Sequence, residues 1–197
     1  MFTGIIETTG NITKIQKEQG NVILTIASDI SNELKIDQSV THNGVCLTVT
    51  QVGEGWHTVT AISETLQKTN LGELQVGSLL NLERCMQLNG RFDGHIVQGH
   101  VDQTAECMKA EEQDGSWFFT FEYGNSKGNF TVEKGSVTVN GTSLTVVNSK
   151  ENGFSVAIIP YTYEHTSFKT LKVGDKINLE FDVIGKYLQK LFLQYQK

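Results

Sequence analysis

Cys46 and Ser143 stand in matching places in this chain. Ser39-Val40-Thr41-His42-Asn43-Gly44-Val45-Cys46-Leu47-Thr48-Val49 returns 97 positions later as Ser136-Val137-Thr138-Val139-Asn140-Gly141-Thr142-Ser143-Leu144-Thr145-Val146, with Asn140 answering Asn43. A thiol and a hydroxyl can both act as nucleophiles, but each needs a neighbouring base or a lowered pKa to do so. Histidine is the side chain that changes charge near neutral pH and can move protons. His100 is the candidate for that work, because Ile5 holds its place in the other copy and the symmetry breaks there. His42 against Val139 and Lys68 against His165 are further mismatches, while Lys134 and Asp182 flank the second copy's core, Asp182 opposite Cys85. Ser39 with Ser136, Thr48 with Thr145 and Thr65 with Thr162 agree between the copies. A threonine hydroxyl in an otherwise apolar strand needs a partner if it is buried.

The elements that must position these side chains follow from the same repeat. The offset holds to Asn81-Leu82-Glu83, which returns as Asn178-Leu179-Glu180. Upstream, Phe2-Thr3-Gly4-Ile5-Ile6-Glu7-Thr8-Thr9-Gly10 matches Val97-Gln98-Gly99-His100-Val101-Asp102-Gln103-Thr104-Ala105 at an offset of 95, Gly4 against Gly99. The change of offset belongs in a loop, where insertions are tolerated. Self-similarity of this kind means two copies of one small fold. The expected division is residues 1–88, residues 89–185 and a tail at 186–197, with a glycine-containing polar linker at 88–94. Short apolar runs at 21–27, 45–52, 117–121, 144–147, 154–159 and 177–181 predict strands. Asn43-Gly44 and Asn140-Gly141 predict hairpin turns, with the next turns at 53–55 and 151–153. One proline and 19 glycines suit an all-β chain. Short helices are expected after matching strands, at Ser63-Glu64-Thr65-Leu66 and Pro160-Tyr161-Thr162-Tyr163, started by the serine as a cap and by the proline in a first turn. The tail carries Tyr187, Leu188, Leu191, Phe192 and Tyr195 on one helical face, a stripe that needs a burial partner in its own chain or in another subunit.

Composition narrows the function. The 197 residues carry a net charge of −6, so no basic patch exists to neutralise nucleic acid or an anionic membrane. No apolar run approaches the roughly 18 residues that span a bilayer, and the N-terminus does not read as a signal peptide. Three cysteines, Cys46, Cys85 and Cys107, have no paired spacing, which argues against a disulfide scaffold or a zinc site and for a reducing, cytoplasmic compartment.

Four motifs in register with the repeat resemble riboflavin synthase. They are Met1-Phe2-Thr3-Gly4-Ile5-Ile6-Glu7, Asn43-Gly44-Val45-Cys46-Leu47-Thr48-Val49, Gly94-His95-Ile96-Val97-Gln98-Gly99-His100-Val101-Asp102 and Gly141-Thr142-Ser143-Leu144-Thr145-Val146. The resemblance runs from Met1 to about Asp182. It implies two tandem homologous six-stranded antiparallel Greek-key barrels, each a lumazine-binding repeat, plus a C-terminal α-helix that holds a homotrimer together. It implies a transferase for the last step of riboflavin biosynthesis. Two molecules of 6,7-dimethyl-8-ribityllumazine share a site between subunits, and a four-carbon transfer gives riboflavin and 5-amino-6-(ribitylamino)uracil. No metal or cofactor is implied, and association with lumazine synthase is.

The resemblance also assigns residues. Substrate-binding positions of the first repeat are Gly4, Ile5 and Ile6, then Cys46, Leu47 and Thr48, then Thr60, Ala61, Ile62, Ser63, Glu64 and Thr65. Those of the second are Gly99, His100 and Val101, then Lys134, then Ser143, Leu144 and Thr145, then Ala157, Ile158, Ile159, Pro160, Tyr161 and Thr162. Cys46 and His100 are the candidates for proton transfer or transient addition, supported by Ser143, Ser39 and Asp182. Val45 departs from relatives that carry a second small residue there, and Tyr161 and Tyr163 around Thr162 alter the second pocket wall. The alternative within the same resemblance is a non-catalytic antenna protein that binds lumazine or flavin.

Overall fold

The computed structural model describes residues 1–124 and 128–195. The first copy supplies β1 (Thr8–Glu18), β2 (Asn21–Ala27), β3 (Ser39–His42), β4 (Val45–Gly53), β5 (Trp56–Ala61), the helix α1 (Ser63–Lys68) and β6 (Leu79–Arg84). These strands close into an antiparallel barrel in the order β1-β2-β5-β4-β3-β6, with β6 returning to β1. The second copy supplies β7 (Gln103–Gln113), β8 (Ser116–Glu122), β9 (Ser136–Val139), β10 (Thr142–Thr145), β11 (Val147–Lys150), β12 (Gly153–Ile158), α2 (Pro160–His165) and β13 (Lys176–Phe181). Here the sheet has seven strands in the order β10-β9-β13-β7-β8-β12-β11 and is a half-barrel. The extra strand has a local cause. β10 and β11 are the two pieces of the strand that matches β4, parted at Val146. In the first copy a bulge between Val49 and Gln51 keeps that strand whole. In the second, Asn148 adopts φ +52° and the register slips between Val147 and Lys150.

Each copy has its own core, and the two are packed differently. Leu24 and Ile26 fill the first, where Phe119 and Phe121 hold the same places in the second. Phe119 and Phe168 meet edge to face at 4.9 Å, a favoured aromatic geometry. In the first copy the places of Val139 and Phe154 are polar. His42 Nε2 lies 2.9 Å from His57 Nε2, and His57 Nδ1 lies 2.9 Å from Ser31 Oγ, all three residues fully buried.

The copies dock through their asparagine turns. Asn43 and Asn140 both take positive φ, as the hairpin turn demands. Gly44 and Gly141 then touch: a Cβ on Gly44 would stand 2.7 Å from the Gly141 nitrogen. Around this contact Asn81 Nδ2 donates to the Asn140 carbonyl at 2.8 Å, and Asn178 Nδ2 donates to the Asn43 carbonyl at 2.9 Å. Buried amides bonded across an interface in this way fix one docking geometry.

The helix α3 (Val183–Tyr195) begins earlier than the sequence reading of 186, because the Asp182 carboxylate accepts the Ile184 N–H at 2.9 Å and caps its first turn. Gln196 and Lys197 lie outside the described residues. α1 differs too. Ile62, not Ser63, is its N-cap, and no side chain caps it. The capping threonines stand after the helices instead: Thr69 and Thr166 accept the Leu71 and Phe168 N–H groups.

Candidate active site

In each copy two strands part company like a fork. β4 and β5 pair from Val49 with Val59 down to Gly53 with Trp56. Beyond Val49, the outer edge of β4 is taken by β3, with Leu47 against Val40 and Thr48 against Ser39. β5 gives its outer edge to β2, with Thr60 against Ile23 and Ala61 against Val22. The facing edges of Leu47-Thr48 and Thr60-Ala61 are thus left unpaired with each other. The second copy repeats this more widely. β10 pairs with β9 only, and the β11–β12 ladder starts at Val147 with Ser155. Leu144-Thr145 is therefore left unpaired with Ala157-Ile158. Peptide groups on such edges retain unused donors and acceptors, which suits a flat ligand with an amide edge.

The segments at the mouths of the clefts are exchanged between copies. Phe2 and Val97 pair antiparallel. The Gly4 carbonyl accepts the Ser143 N–H at 2.7 Å, and the Gly99 carbonyl accepts the Cys46 N–H at 2.8 Å. Val101 packs on the core of the first copy. Sequence reasoning put Gly4, Ile5 and Ile6 with the first repeat and Gly99, His100 and Val101 with the second. In space the groups are swapped. Gly4 serves the cleft of Ser143, Leu144 and Thr145, and Gly99 that of Cys46, Leu47 and Thr48. Glycine is required at both crossings. Gly4 and Gly99 each have φ +77°, and a Cβ would stand 2.6 Å from the Cβ of Ser143 or Cys46. Two buried carboxylates hold the crossing segments. Glu83 accepts from the Thr3 nitrogen at 2.7 Å and the Gly4 nitrogen at 3.1 Å. Glu180 accepts from the nitrogens of Gln98, Gly99 and His100 at 2.6, 2.9 and 2.9 Å. Burial pushes both acids up, Glu180 to about 7, against the pull of these donors.

The chemistry-bearing side chains differ between the clefts. Cys46 is half-buried, and burial raises its thiol pKa while the neighbouring Ser39 hydroxyl opposes the rise. Ser39 also accepts the Cys85 thiol on its carbonyl at 3.5 Å. His100 is exposed beside Gly99, as is Ile5 beside Gly4. In the second cleft Ser143 is bonded to His95, whose Nδ1 lies 2.6 Å from Ser143 Oγ and whose Nε2 lies 3.2 Å from Thr138 Oγ1. Burial lowers the His95 pKa and Asp182 raises it in part. The sequence reading missed His95. It stands inside a quoted motif but precedes the first residue that has a counterpart in the other copy.

The remaining predicted residues line the rims or lie away from the forks. Ile62, Ser63 and Glu64 are exposed at the end of β5, with Thr65 half-buried; Glu64 pairs with Lys68 on α1. At the same places in the second copy, exposed Tyr161 stacks on His165 at 4.0 Å, beside exposed Ile159 and Pro160 and half-buried Thr162. Lys134 is exposed in the turn before β9, φ +64°. Its backbone N–H donates to the Val146 carbonyl and its side chain lies 4.0 Å from Glu133. Asp182 is half-buried at the start of α3.

Residues 3–85 and 98–182 both match the family described as Lumazine binding domain, one match per fork. Riboflavin synthase of Actinobacillus pleuropneumoniae is 41% identical over 195 residues, covering 98% of this chain and 91% of that protein. Riboflavin synthase of Bacillus subtilis (strain 168) is 42% identical over 191 residues, covering 96% and 89%. Among solved structures, LumP complexed with 6,7-dimethyl-8-(1'-D-ribityl) lumazine superposes with a TM-score of 0.84 over 92% of this chain and 99% of that one; at 21% identity the likeness speaks to fold alone. Two lumazine-binding domains in tandem and near full-length identity to these enzymes give one conclusion: the chain belongs to the riboflavin synthase family.

Proposed function

We propose that the protein is a riboflavin synthase. It holds two molecules of 6,7-dimethyl-8-ribityllumazine and passes a four-carbon unit from one to the other, giving riboflavin and 5-amino-6-(ribitylamino)uracil. The observation that carries this is the pair of unequal forks, alike at Leu47-Thr48 and Leu144-Thr145, where peptide edges can hold a pteridine, and unlike at Cys46 and Ser143. Two identical substrates must play opposite parts in a dismutation, and unequal clefts suit that need.

The 7-methyl group of the lumazine is acidic because its carbanion delocalises into the ring, and carbon 7 of its partner is electrophilic. Peptide groups along the fork edges align each ring, and hydroxyls such as those of Thr48, Thr145 and Ser63 are available to the ribityl chains. Holding the rings in register contributes up to about 7–11 kcal/mol in well-oriented cases. Acid–base help from Cys46, His100 and Ser143, with Ser39 and Asp182 in support, adds roughly 10²–10⁴-fold.

In this reading residues 1–88 and 89–185 are the two lumazine-binding repeats, and the two clefts that face each other belong to different subunits. The tail helix supplies the contact between chains. It buries no residue, and Leu188, Leu191 and Phe192 are 61%, 52% and 64% exposed. A homotrimer in the cytoplasm is the assembly proposed. Incubation with 6,7-dimethyl-8-ribityllumazine alone tests the function. Riboflavin fluorescence is expected to grow as lumazine absorbance falls. Stably bound lumazine with no riboflavin would assign the chain to ligand storage or light harvesting instead.

A further inference from the structure

The two clefts differ in what their nucleophile-capable side chain touches. Beside the Cys46 thiol, whose pKa burial raises, stands the Ser39 hydroxyl, which opposes the rise. Ser143 is bonded to an imidazole, and that ring is fixed at both nitrogens by Ser143 and Thr138. Two glycines crowd Ser143 into this position. A Cβ on Gly94 would stand 3.1 Å from the Ser143 Cβ and 2.0 Å from the Thr3 carbonyl, and one on Gly4 would stand 2.6 Å from the same Cβ. His95 is itself anchored, its N–H donating to the Thr3 carbonyl at 3.0 Å. The charged group facing it from another element is Asp182, at the end of β13. On its own segment the neighbouring charges are Arg91 and Asp93.

We propose that His95 is the positioning residue of the second cleft, orienting Ser143 and drawing off through it the proton that leaves the 7-methyl group of the lumazine bound there. The inference rests on the function proposed above and assigns a part to each cleft. The methyl C–H bond breaks and its electron pair stays on carbon, delocalised into the ring. The proton bonds to Ser143 Oγ while the hydroxyl proton of Ser143 passes to His95 Nδ1. This requires Nε2–H to donate to Thr138, which the 3.2 Å spacing allows. The imidazolium so formed faces the Asp182 carboxylate. Burial keeps the resting ring neutral, its pKa below the ordinary value of 6.5, and so able to accept. The lumazine beside Ser143 is then the carbanion, and the one on the Cys46 side is the electrophile.

The test uses the full chain and His95→Asn, whose amide can still bond Ser143 but cannot take up a proton. Exchange of the 7-methyl hydrogens in heavy water, followed by NMR, and riboflavin formation are measured against pH, with lumazine affinity by fluorescence titration. The variant is expected to slow both rates about 100-fold, to change affinity less than about twofold, and to lose the acid limb of the exchange profile. Thr138→Val, which frees the far nitrogen but keeps the backbone pairing with Ser143 and the Ser143–His95 bond, should slow exchange less and keep the acid limb. An H95N protein with wild-type exchange and pH profile overturns the inference. So does one that loses affinity and thermal stability in step with rate while the acid limb stays. A wild-type chain that makes no riboflavin removes the functional reading, and this inference with it; an active wild type beside an unaltered variant removes the inference alone.

Discussion

His42 and His57 show how far two copies of one fold can diverge at single positions. Their counterparts are Val139 and Phe154, ordinary core residues. Burial, with the neighbouring His57 adding to it, lowers His42 to about 3, and burial lowers His57 to about 4. Both rings are therefore neutral in the fold, while the unfolded chain takes up their protons below 6.5. Their contribution to stability is complete above that value. It is lost as pH falls towards 4, by about 1.4 kcal/mol per unit of pH for each ring. Installing the second copy's residues, His42→Val with His57→Phe, should flatten the fall in melting temperature between neutral and acid solution; an unchanged fall would mean that other groups govern it. Glycines at the crossings set a second expectation. Gly4→Ala must tolerate both φ +77° and a 2.6 Å contact, whereas Gly20→Ala faces only φ +93° in open space. The first should cost about 1–3 kcal/mol more than the second, read from thermal melts, and should also depress turnover. At this scale the sequence was informative wherever the copies could be laid side by side. Cys46 against Ser143 and Ile5 against His100 stood out for that reason. His95 did not, because its importance lies in a bond to Ser143 that exists only once the chain has crossed over.

Strands and turns were more readily legible than their assembly. The Asn-Gly pairs were read as hairpin turns, and they are. Asn81 and Asn178 gave no hint that their amides bond across to the opposite copy, since that depends on which faces meet. The same holds for the forks: a hydrophobic pattern marks β4 and β5 but not where they cease to pair. Asn81 joins the copies through bonds from its Nδ2 to the Asn140 carbonyl and the Thr142 hydroxyl, and through its Oδ1, which accepts the Ser167 N–H at 2.6 Å. Asn81→Ala strands buried partners at about 1–3 kcal/mol each. Calorimetry should then show the single unfolding transition giving way to two, one per copy. A single transition merely shifted to lower temperature would indicate that the glycine contact suffices for coupling.

For the molecule as a whole, the tail helix and the order of synthesis matter most. Ile184, Tyr187, Leu191 and Tyr195 remain exposed in the single chain, and no helix among the described residues is long and apolar enough to cross a membrane. Truncation after Gly185 should reduce the sedimenting mass to that of one chain and abolish turnover, if the working cleft pair spans two subunits. An unchanged mass would reject the helix as the contact. The stripe was legible because it follows a helical period; its burial partner was not, because the single chain leaves these side chains exposed. The exchanged mouths carry a consequence in time. On the ribosome, Gly4 emerges long before Ser143, its partner. At cellular elongation rates this leaves the leading residues waiting about 10–30 s for a place to dock. The first barrel must therefore stand in the interval with a borrowed edge still unmade, exposed to premature pairing with another nascent chain, and the final protein is completed only when its beginning is fastened by its second half.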